Sequence, residues 1–430
     1  MGWWFKIPLW VRILAAMAVG VGFGFALRPD SGISLGLDPQ ATADTLKLIG
    51  DAFVRLIRML AVPLIFVSVT AAVVSIGDLG KLGTSGAKVA ALYLPSGLLA
   101  ACLGIALGVL LQPGVGPEII ASGTPPAPAE PLTARSIMED IIPANPVQAL
   151  ANGDMLSVIL FALLFGVGLL GAGQASESAA KAIDGASHAF IKLTGYIMEL
   201  APIGAFALMT WVVAQLGAEA LVRLAALIGC LYLGCFLYAI VVYGGFLRVV
   251  MNLPVIPFYR GMLEPMAVAY ATSSSNATLP VTMRAMIDKL GISRRMSAFV
   301  SSLGATVNMD GSAMYLALLT VFGAQMFGVE LSTPQYIAIA ITASLGAIGA
   351  AGIPGGSIVF MPIVFGAVGV PLEVIAIVLG VDRLMDMMRT VLNVIGDAVA
   401  AVAVAKWEGE LDIAAYRANK RSDGTIEEPA

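Results

Sequence analysis

The chain has 430 residues, of which 59% are hydrophobic and only 12% are charged. Soluble domains carry about 25% charged residues, so this composition argues against a soluble globular protein and indicates a polytopic membrane protein. The formal net charge of −4 says little by itself, and we expect no nucleic-acid partner.

Long apolar stretches follow one another along the chain. They lie at residues 7–27, 47–76, 85–112, 154–173, 188–215, 219–250, 296–328, 333–368 and 372–405. Each matches or exceeds the ~20 residues with which a helix crosses a bilayer. Their alanine, glycine, leucine and valine content favours helices over β-barrel strands, which would be about 10 residues long and alternating. The sequence therefore predicts an all-α membrane protein.

Basic residues set the expected orientation, because they collect in cytoplasmic loops. They occur near the amino terminus, crowd the segment 284–295 and recur between 406 and 421, whereas the loop 113–150 holds four acidic residues against Arg135. We therefore expect that loop outside, both termini in the cytoplasm, and an even number of crossings of the cell's inner (plasma) membrane. The start of the chain shows no cleavable signal and is predicted to be a first helix.

Two apolar stretches are interrupted by turn-forming residues. No Lys or Arg occurs between Arg295 and Arg383, although the chain there is long enough for more than two crossings. The segment 253–291 is broken at 273-SSSNATLP, and the segment 333–368 is broken at 349-GAAGIPGGS. Each is followed by a helical run with a polar interruption, 304-GATVNMDGSAMY and 382-DRLMDMMRTVLNVIGD. Two re-entrant hairpins, each followed by an interrupted helix, indicate an inverted repeat, a recurrent plan of secondary transporters.

The last of these runs carries a polar stripe. Asp382, Asp386, Arg389, Asn393 and Asp397 are spaced 4, 3, 4 and 4 apart, which places them within an arc of about 80° on a helix. A structural salt-bridge stripe would explain the pattern, but ionisable residues within a membrane are functional by default. Because the carboxylates outnumber the arginine, protons or bound cations must neutralise the excess. The arginine could bind a carboxylate of a ligand, and one aspartate could bind its ammonium group. The stripe therefore predicts a small zwitterion as the ligand.

Serine and glycine clusters supply further polar groups. The serines of 273-SSSNATLP mark either a solvated turn or non-helical backbone that lines a cavity, and 352-GIPGGS is either a plain turn or a flexible lid. Gly311, inside an apolar helix, predicts unwinding that frees the carbonyls of Gly304, Thr306 and Asn308 beside the Asp310 carboxylate. Such hard oxygen donors suit Na⁺ better than any soft metal.

Four linked motifs, 273-SSSNATLP, 308-NMDGS, 352-GIPGG and 382-DRLMDMMRTVLNVIGD, closely resemble those of the dicarboxylate/amino acid:cation symporters, the glutamate transporter family. The resemblance covers nearly the whole chain. It implies a homotrimer with eight transmembrane helices and two re-entrant hairpins per subunit, in which a transport domain slides across the membrane against a scaffold, as an elevator. It further implies scaffold helices in 1–84, an extracellular loop and scaffold helices in 113–218, transport-domain segments in 85–112 and 219–406, and a cytoplasmic tail in 407–430.

The resemblance also implies which residues bind the substrate. Arg389 would hold a side-chain carboxylate, Asp386 and Thr390 the amino group, and Asn393 the main-chain carboxylate. The remaining contacts would come from the hairpin tips and the interrupted helix, through Ser274, Ser275, Ser312, Ile353 and Ser357. Relatives often have glycine where Ser357 stands and threonine where Ser312 stands.

Three sodium sites are implied in the same way. The first would use the carbonyls of Gly304, Asn308 and Asn393 with the Asp397 carboxylate. The second would use carbonyls around Thr306, Ala347, Ile348 and Ala350, and the third would use Tyr93, Ser96, Asn308 and Asp310. Gly97 falls where sodium-coupled relatives supply a further hydroxyl, which weakens the third site.

Other departures bear on coupling. Leu316 occupies the place of a proton-carrying glutamate in animal glutamate transporters, which argues against their kind of proton co-transport and potassium counter-transport. Arg383 follows Asp382, whereas some archaeal relatives carry an arginine in place of Thr272.

The expected function is therefore Na⁺-coupled symport of L-aspartate or L-glutamate. The open alternatives are coupling to H⁺ through a titrating aspartate, or a C4-dicarboxylate or neutral amino acid as substrate. An intramembrane aspartyl protease is disfavoured, because 394-VIGD lacks the first glycine of the G-x-G-D pattern, and a simple channel needs no zwitterion-shaped site. We expect a transporter and not an enzyme.

Overall fold

The computed structural model describes residues 7, 9–28, 38–75, 79–116, 142–153, 155–348, 355–379 and 381–419. Almost all of these residues are helical, and their only β-pairing is one antiparallel bridge between Ile292 and Leu411. The prediction of an all-α protein is confirmed for this part of the chain.

The first part of the described chain consists of eight helices. They are α1 (Leu9–Ala26), α2 (Pro39–Ser75), α3 (Leu79–Leu111), α4 (Pro146–Asn152), α5 (Met155–Gly171), α6 (Glu177–Met198), α7 (Ala201–Leu216) and α8 (Ala218–Leu237). Local signals set the short helix α4: Asn145 accepts hydrogen bonds from two N–H groups of its first turn, and Gly153 ends it with φ 78°. α8 continues through π-helical turns to Val250.

The second part contains two hairpins, each followed by two further helices. Hairpin 1 is α9 (Val255–Thr272) and α10 (Ser275–Asp288), followed by α11 (Arg294–Val307) and α12 (Asp310–Met326). Hairpin 2 is α13 (Thr333–Ile348), a 3₁₀ turn (Gly356–Phe360) and α14 (Met361–Gly366), followed by α15 (Glu373–Leu379) and α16 (Asp382–Trp407). A short helix, α17 (Ile413–Ala418), ends the described chain. The predicted interruption is present after hairpin 1, whereas the polar run 382–397 after hairpin 2 lies within one continuous helix, α16.

The first interruption differs from its predicted position. The sequence placed the unwinding at Gly311, but the helical dihedrals are lost at Asn308 (φ −93°, ψ 82°) and Met309 (φ −114°, ψ 51°), and Gly311 lies inside α12. Gly311 allows close packing instead, because a Cβ at position 311 would lie 2.7 Å from the Arg389 Cα atom. α12 therefore rests directly on the backbone of α16.

Three helices of the described chain are long and apolar enough to cross a bilayer: Gly86–Leu111, Ala218–Val250 and Asp382–Trp407. A fourth span results if the segments 173–197 and 201–215, bent by 53°, count as one. The two apolar segments of hairpin 2, Thr333–Ile348 and Gly356–Gly366, are shorter, as expected where non-helical backbone at membrane depth is enclosed by protein. The number of eight crossings remains a prediction.

The helices pack in two groups. In one group, α2 contacts α5, α6 and α7, and α7 also packs along α1. In the other, α16 contacts α3 and each helix from α8 to α12. α15 lies between the groups, against α2 and α7, where Lys47 of α2 approaches Glu373 of α15 to 3.7 Å. Because α16 is almost entirely buried, its polar stripe faces protein.

Candidate substrate and cation sites

Arg389 is the centre of a buried charged cluster on α16. Its side chain is 1% exposed and forms ion pairs with Asp386, at 2.7 Å, and Asp382, at 3.1 Å. Its guanidinium carbon also lies 4.3 Å from the centre of the Tyr315 ring, and the Tyr315 hydroxyl donates to Asp382 at 2.8 Å. Ion pairs and stacking together hold the guanidinium in one orientation, as a bidentate carboxylate site requires.

Hairpin 2 docks on this cluster through two polar contacts. The backbone N–H of Gly355 donates to Asp386 Oδ2 at 2.8 Å. The hydroxyl of Ser357 donates to that of Ser312 on α12 at 2.9 Å. Both serines are buried, so the hairpin closes over the cluster and its hydroxyl pair lies in the interior.

The tip of hairpin 1 lies at the start of α10. Ser273 takes the left-handed conformation with φ 52°, and the Ser274 hydroxyl caps α10 by accepting from the Ala277 N–H at 3.1 Å. Ser273, Ser274 and Ser275 are all buried. Arg383 reaches this tip from α16 and donates to the carbonyls of residues 271 and 272. The serine cluster is therefore not a solvated turn.

The interruption between α11 and α12 brings a second polar region to α16. Asn393 accepts from the Gly311 N–H at 2.8 Å, and the Asn308 amide donates to Asp397 Oδ1 at 3.1 Å. A Cβ at Gly304 would meet both the Asp397 carboxylate and the Tyr93 hydroxyl. The residues of the first implied sodium site, Gly304, Asn308, Asn393 and Asp397, are therefore neighbours.

Asp310 is the second carboxylate of this region, and it is 1% exposed. The hydroxyls of Ser96 and Tyr243 both donate to its Oδ2 atom, whereas Oδ1 has no hydrogen-bond partner among the described residues. The Asn308 side-chain oxygen is buried without a partner in the same way.

No ion pair to Asp310 or Asp397 is found in the described chain. A buried carboxylate without a countercharge is costly. Unpartnered carboxylate and amide oxygens are the ligands that a hard cation prefers, so the residues fit a bound Na⁺.

A model of the sodium:dicarboxylate symporter family matches residues 9–407. The chain belongs to this family. It is similar to a C4-dicarboxylate transport protein of Rhizobium johnstonii, with 33% identity over 95% of this chain and 91% of that protein. A proton/sodium-glutamate symport protein of Bacillus caldotenax is 31% identical over 94% of this chain and 96% of its own length. A proton/glutamate-aspartate symporter of Bacillus subtilis is 34% identical over 92% and 94%.

Family membership makes this chain a membrane symporter that uses a coupling cation, and the prediction of a transporter rather than an enzyme is confirmed. The names of its relatives differ in substrate, between C4-dicarboxylates and glutamate, and in coupling ion, between proton and sodium. Substrate and ion must therefore be argued from the residues of this symporter.

The structure brings most of the predicted site residues of the symporter together around α16. Thr390 is buried on the same helix, and Tyr93 is buried on α3, where its hydroxyl donates to the Val300 carbonyl at 3.2 Å. Thr306 is the residue before the end of α11, next to the break, and Ala347 and Ile348 end α13. Ile353 and Ala350 lie outside the described residues, so their predicted roles rest on the resemblance alone.

Sequence reasoning missed two tyrosines of the symporter site, Tyr243 and Tyr315. Both are buried in apolar helices; Tyr243 donates a hydrogen bond to Asp310 of the second polar region, and Tyr315 donates one to Asp382 of the charged cluster. A buried tyrosine usually finds a partner for its hydroxyl, which is a weak signal. Neither partner could be identified from the sequence, because 67 residues separate each tyrosine from its aspartate.

Proposed function

We propose that this chain is a Na⁺-coupled symporter that takes up L-aspartate or L-glutamate. The observation that carries the proposal is the buried pair of opposite charges on α16, Asp386 and Arg389, which are 2.7 Å apart. An acidic amino acid offers each of them a partner, its ammonium for Asp386 and its side-chain carboxylate for Arg389. A C4-dicarboxylate has no ammonium group, so it offers Asp386 no partner.

The contact between Asp386 and hairpin 2 supports a gated site. Asp386 Oδ2 accepts from the Gly355 N–H when the hairpin is docked. Opening of hairpin 2 would release this oxygen and make it available to a substrate ammonium. The hydroxyl pair of Ser312 and Ser357 would separate in the same movement, giving donors for the side-chain carboxylate next to Arg389.

The main-chain carboxylate has its own set of donors. The N–H groups at the start of a helix attract anions, and α10 begins at Ser275, with Ser274 as its cap. Asn393 is buried on the facing helix, α16, and the family resemblance implies that it binds this carboxylate. The hairpin 1 tip and Asn393 would thus bind the carboxylate from two sides.

Coupling to Na⁺ is supported by the second polar region. Asp310 and Asp397 are buried carboxylates without an ion pair in the described chain, and within it Asp310 Oδ1 and the Asn308 side-chain oxygen accept no hydrogen bond. Na⁺ is a hard cation that takes such oxygens. Its positive charge would remove the cost of the unpaired carboxylates, so that the loaded site is stabilised.

Proton coupling is a second candidate, because a proton would also neutralise Asp310 or Asp397. The proton/glutamate-aspartate symporter of Bacillus subtilis, 34% identical, favours it. The two coupling ions predict different ion dependences of uptake, which the experiment below separates.

The transport movement we propose is of the elevator type, within a homotrimer in the plasma membrane whose termini face the cytoplasm. The division of the helices into a group around α2 and α7 and a group around α16 supports it. The first group, with α1, α5 and α6, would be the scaffold. The second, with both hairpins, would carry the substrate.

The test is uptake of radiolabelled L-aspartate into proteoliposomes, with either an inward Na⁺ gradient or an inward H⁺ gradient without Na⁺. We expect uptake only with Na⁺, competition by L-glutamate but not by succinate or L-alanine, and loss of uptake in Arg389→Ala. Arg295→Ala is the matched control, because that arginine is 77% exposed. Uptake driven by H⁺ alone would replace Na⁺ by H⁺ as the coupling ion, and competition by succinate alone would overturn the substrate.

A further inference from the structure

Gly97 on α3 faces two oxygen atoms of the second polar region. A Cβ placed at this glycine would lie 3.1 Å from the Ser344 hydroxyl oxygen and 3.7 Å from Asp310 Oδ1. The two oxygens therefore converge on one point beside the backbone of α3. A side chain at position 97 would be crowded by Ser344, so the space is available only because the residue is glycine.

Of the two carboxylate oxygens of Asp310, Oδ1 is the one available to bind a cation. Ser96 and Tyr243 occupy Oδ2, and Oδ1 is buried without a hydrogen-bond partner in the described part of the chain. The Asn308 side-chain oxygen, two residues earlier in the same break, is equally buried and unpartnered. Burial of these two oxygens without a partner is costly, and a bound cation would remove that cost.

Ser344 belongs to α13, the first arm of hairpin 2, and is 8% exposed. A serine hydroxyl can direct a lone pair toward a cation, and it is a hard oxygen donor. The family resemblance implies a hydroxyl on α3 at position 97 in sodium-coupled relatives. In this chain the Ser344 hydroxyl, on α13, lies beside that position.

We infer that Ser344 is a ligand of the cation held by Asp310 and Asn308, and that it takes the place of the hydroxyl missing at Gly97. The inference rests on the Na⁺ coupling proposed above. The site then joins α3, the break before α12 and hairpin 2. A cation bound there stabilises hairpin 2 against α3, so ion binding and seating of the hairpin favour each other.

The test measures the melting temperature of the purified protein in detergent against NaCl concentration, without amino acid and at constant ionic strength with choline chloride. For Ser344→Ala we expect the half-maximal Na⁺ concentration to rise about tenfold or more, as for other residues that support a metal site. Ser344→Cys should behave alike, because it keeps the size but replaces a hard oxygen by sulfur. The exchange Gly97→Ser with Ser344→Ala should restore most of the Na⁺ affinity by moving the hydroxyl to α3.

Thr342→Val is the matched control. Thr342 is a buried hydroxyl residue on the same helix, but its hydroxyl donates to the Ala338 carbonyl at 2.6 Å, so its removal should leave the Na⁺ dependence unchanged. A role of Ser344 in packing alone would lower the melting temperature equally at all Na⁺ concentrations, which overturns the inference. A wild type without any response to Na⁺ overturns both this inference and the proposed coupling ion, whereas an unaltered response in both Ser344 variants overturns this inference alone.

Discussion

The backbone N–H of Gly355 donates a hydrogen bond of 2.8 Å to Asp386. The same carboxylate pairs with Arg389 through its other oxygen. Hairpin 2 and Arg389 therefore both bind Asp386. Binding of a ligand to Asp386 and the position of hairpin 2 are therefore linked.

Asp386→Asn keeps an oxygen that can accept from Gly355 but removes the charge that an ammonium needs. We expect the affinity for L-aspartate to fall on the order of 10- to 100-fold, since hydrogen bonds to charged groups contribute about 1.5–3 kcal/mol. Arg295→Ala, at an exposed position, is the control and should keep the wild-type affinity. Calorimetric titration with L-aspartate measures both variants, and an unchanged affinity in Asp386→Asn would contradict the ammonium role.

Arg389→Ala leaves Asp382 and Asp386 buried without their cation. Removal of one partner of a buried ion pair costs about 3–5 kcal/mol, so the melting temperature should drop clearly even without substrate. Adding Asp382→Asn to this variant should recover part of the loss. Arg295→Ala, at an exposed ion pair, should cost no more than about 1 kcal/mol, and a similar effect of both arginines would refute the prediction.

Ser357→Gly removes a hydroxymethyl group beside Ser312 and breaks their hydrogen bond of 2.9 Å. The added space lies where we place the substrate side chain, so L-glutamate, which is longer by one methylene, should gain relative to L-aspartate. A shift of about tenfold in the ratio of their affinities is expected for one methylene. Competition binding gives this ratio directly, and an unchanged ratio would place the hydroxyl pair outside the substrate site.

Asp397→Asn removes a buried charge that has no ion pair in the described chain. The variant should melt at a higher temperature than the wild type in Na⁺-free buffer, because an unpaired buried ion costs several kcal/mol. It should also gain less stability from added Na⁺, since the carboxylate ligand is lost. Scans with and without Na⁺ separate these effects, and a lower melting temperature in Na⁺-free buffer would argue against an unpaired charge.

Lys47 and Glu373 join α2 to α15 at 3.7 Å, across the boundary between the two helix groups. If the group around α16 moves during transport, linking these positions should stop it. In a background without Cys102, Cys230 and Cys235, mercury treatment of Lys47→Cys with Glu373→Cys should abolish uptake, and a thiol reagent should restore it. Each single variant is the control, and uptake that persists after complete cross-linking would exclude movement of α15 against α2.

The sequence was sufficient to predict the helical class, the two hairpins and the polar stripe, because each depends on local spacing. The five polar residues of the stripe are related in sequence only by helical periodicity, and all five are buried on α16. The position of the first break was predicted wrongly, because Gly311 allows close packing against α16 and does not unwind the helix. The contacts of Tyr243, Tyr315 and Ser344 could not be predicted, because each depends on helices that are distant in sequence.

The close approach at Gly311 has a mechanical consequence. Without a Cβ on Gly311, the start of α12 packs closely against the backbone of α16 at Arg389, and the Gly311 N–H donates a further hydrogen bond to Asn393. The residues we propose for the substrate and those we propose for the coupling ions therefore lie on two helices that are fixed to each other. If these helices move during transport, the two proposed sites should move together and keep their distance.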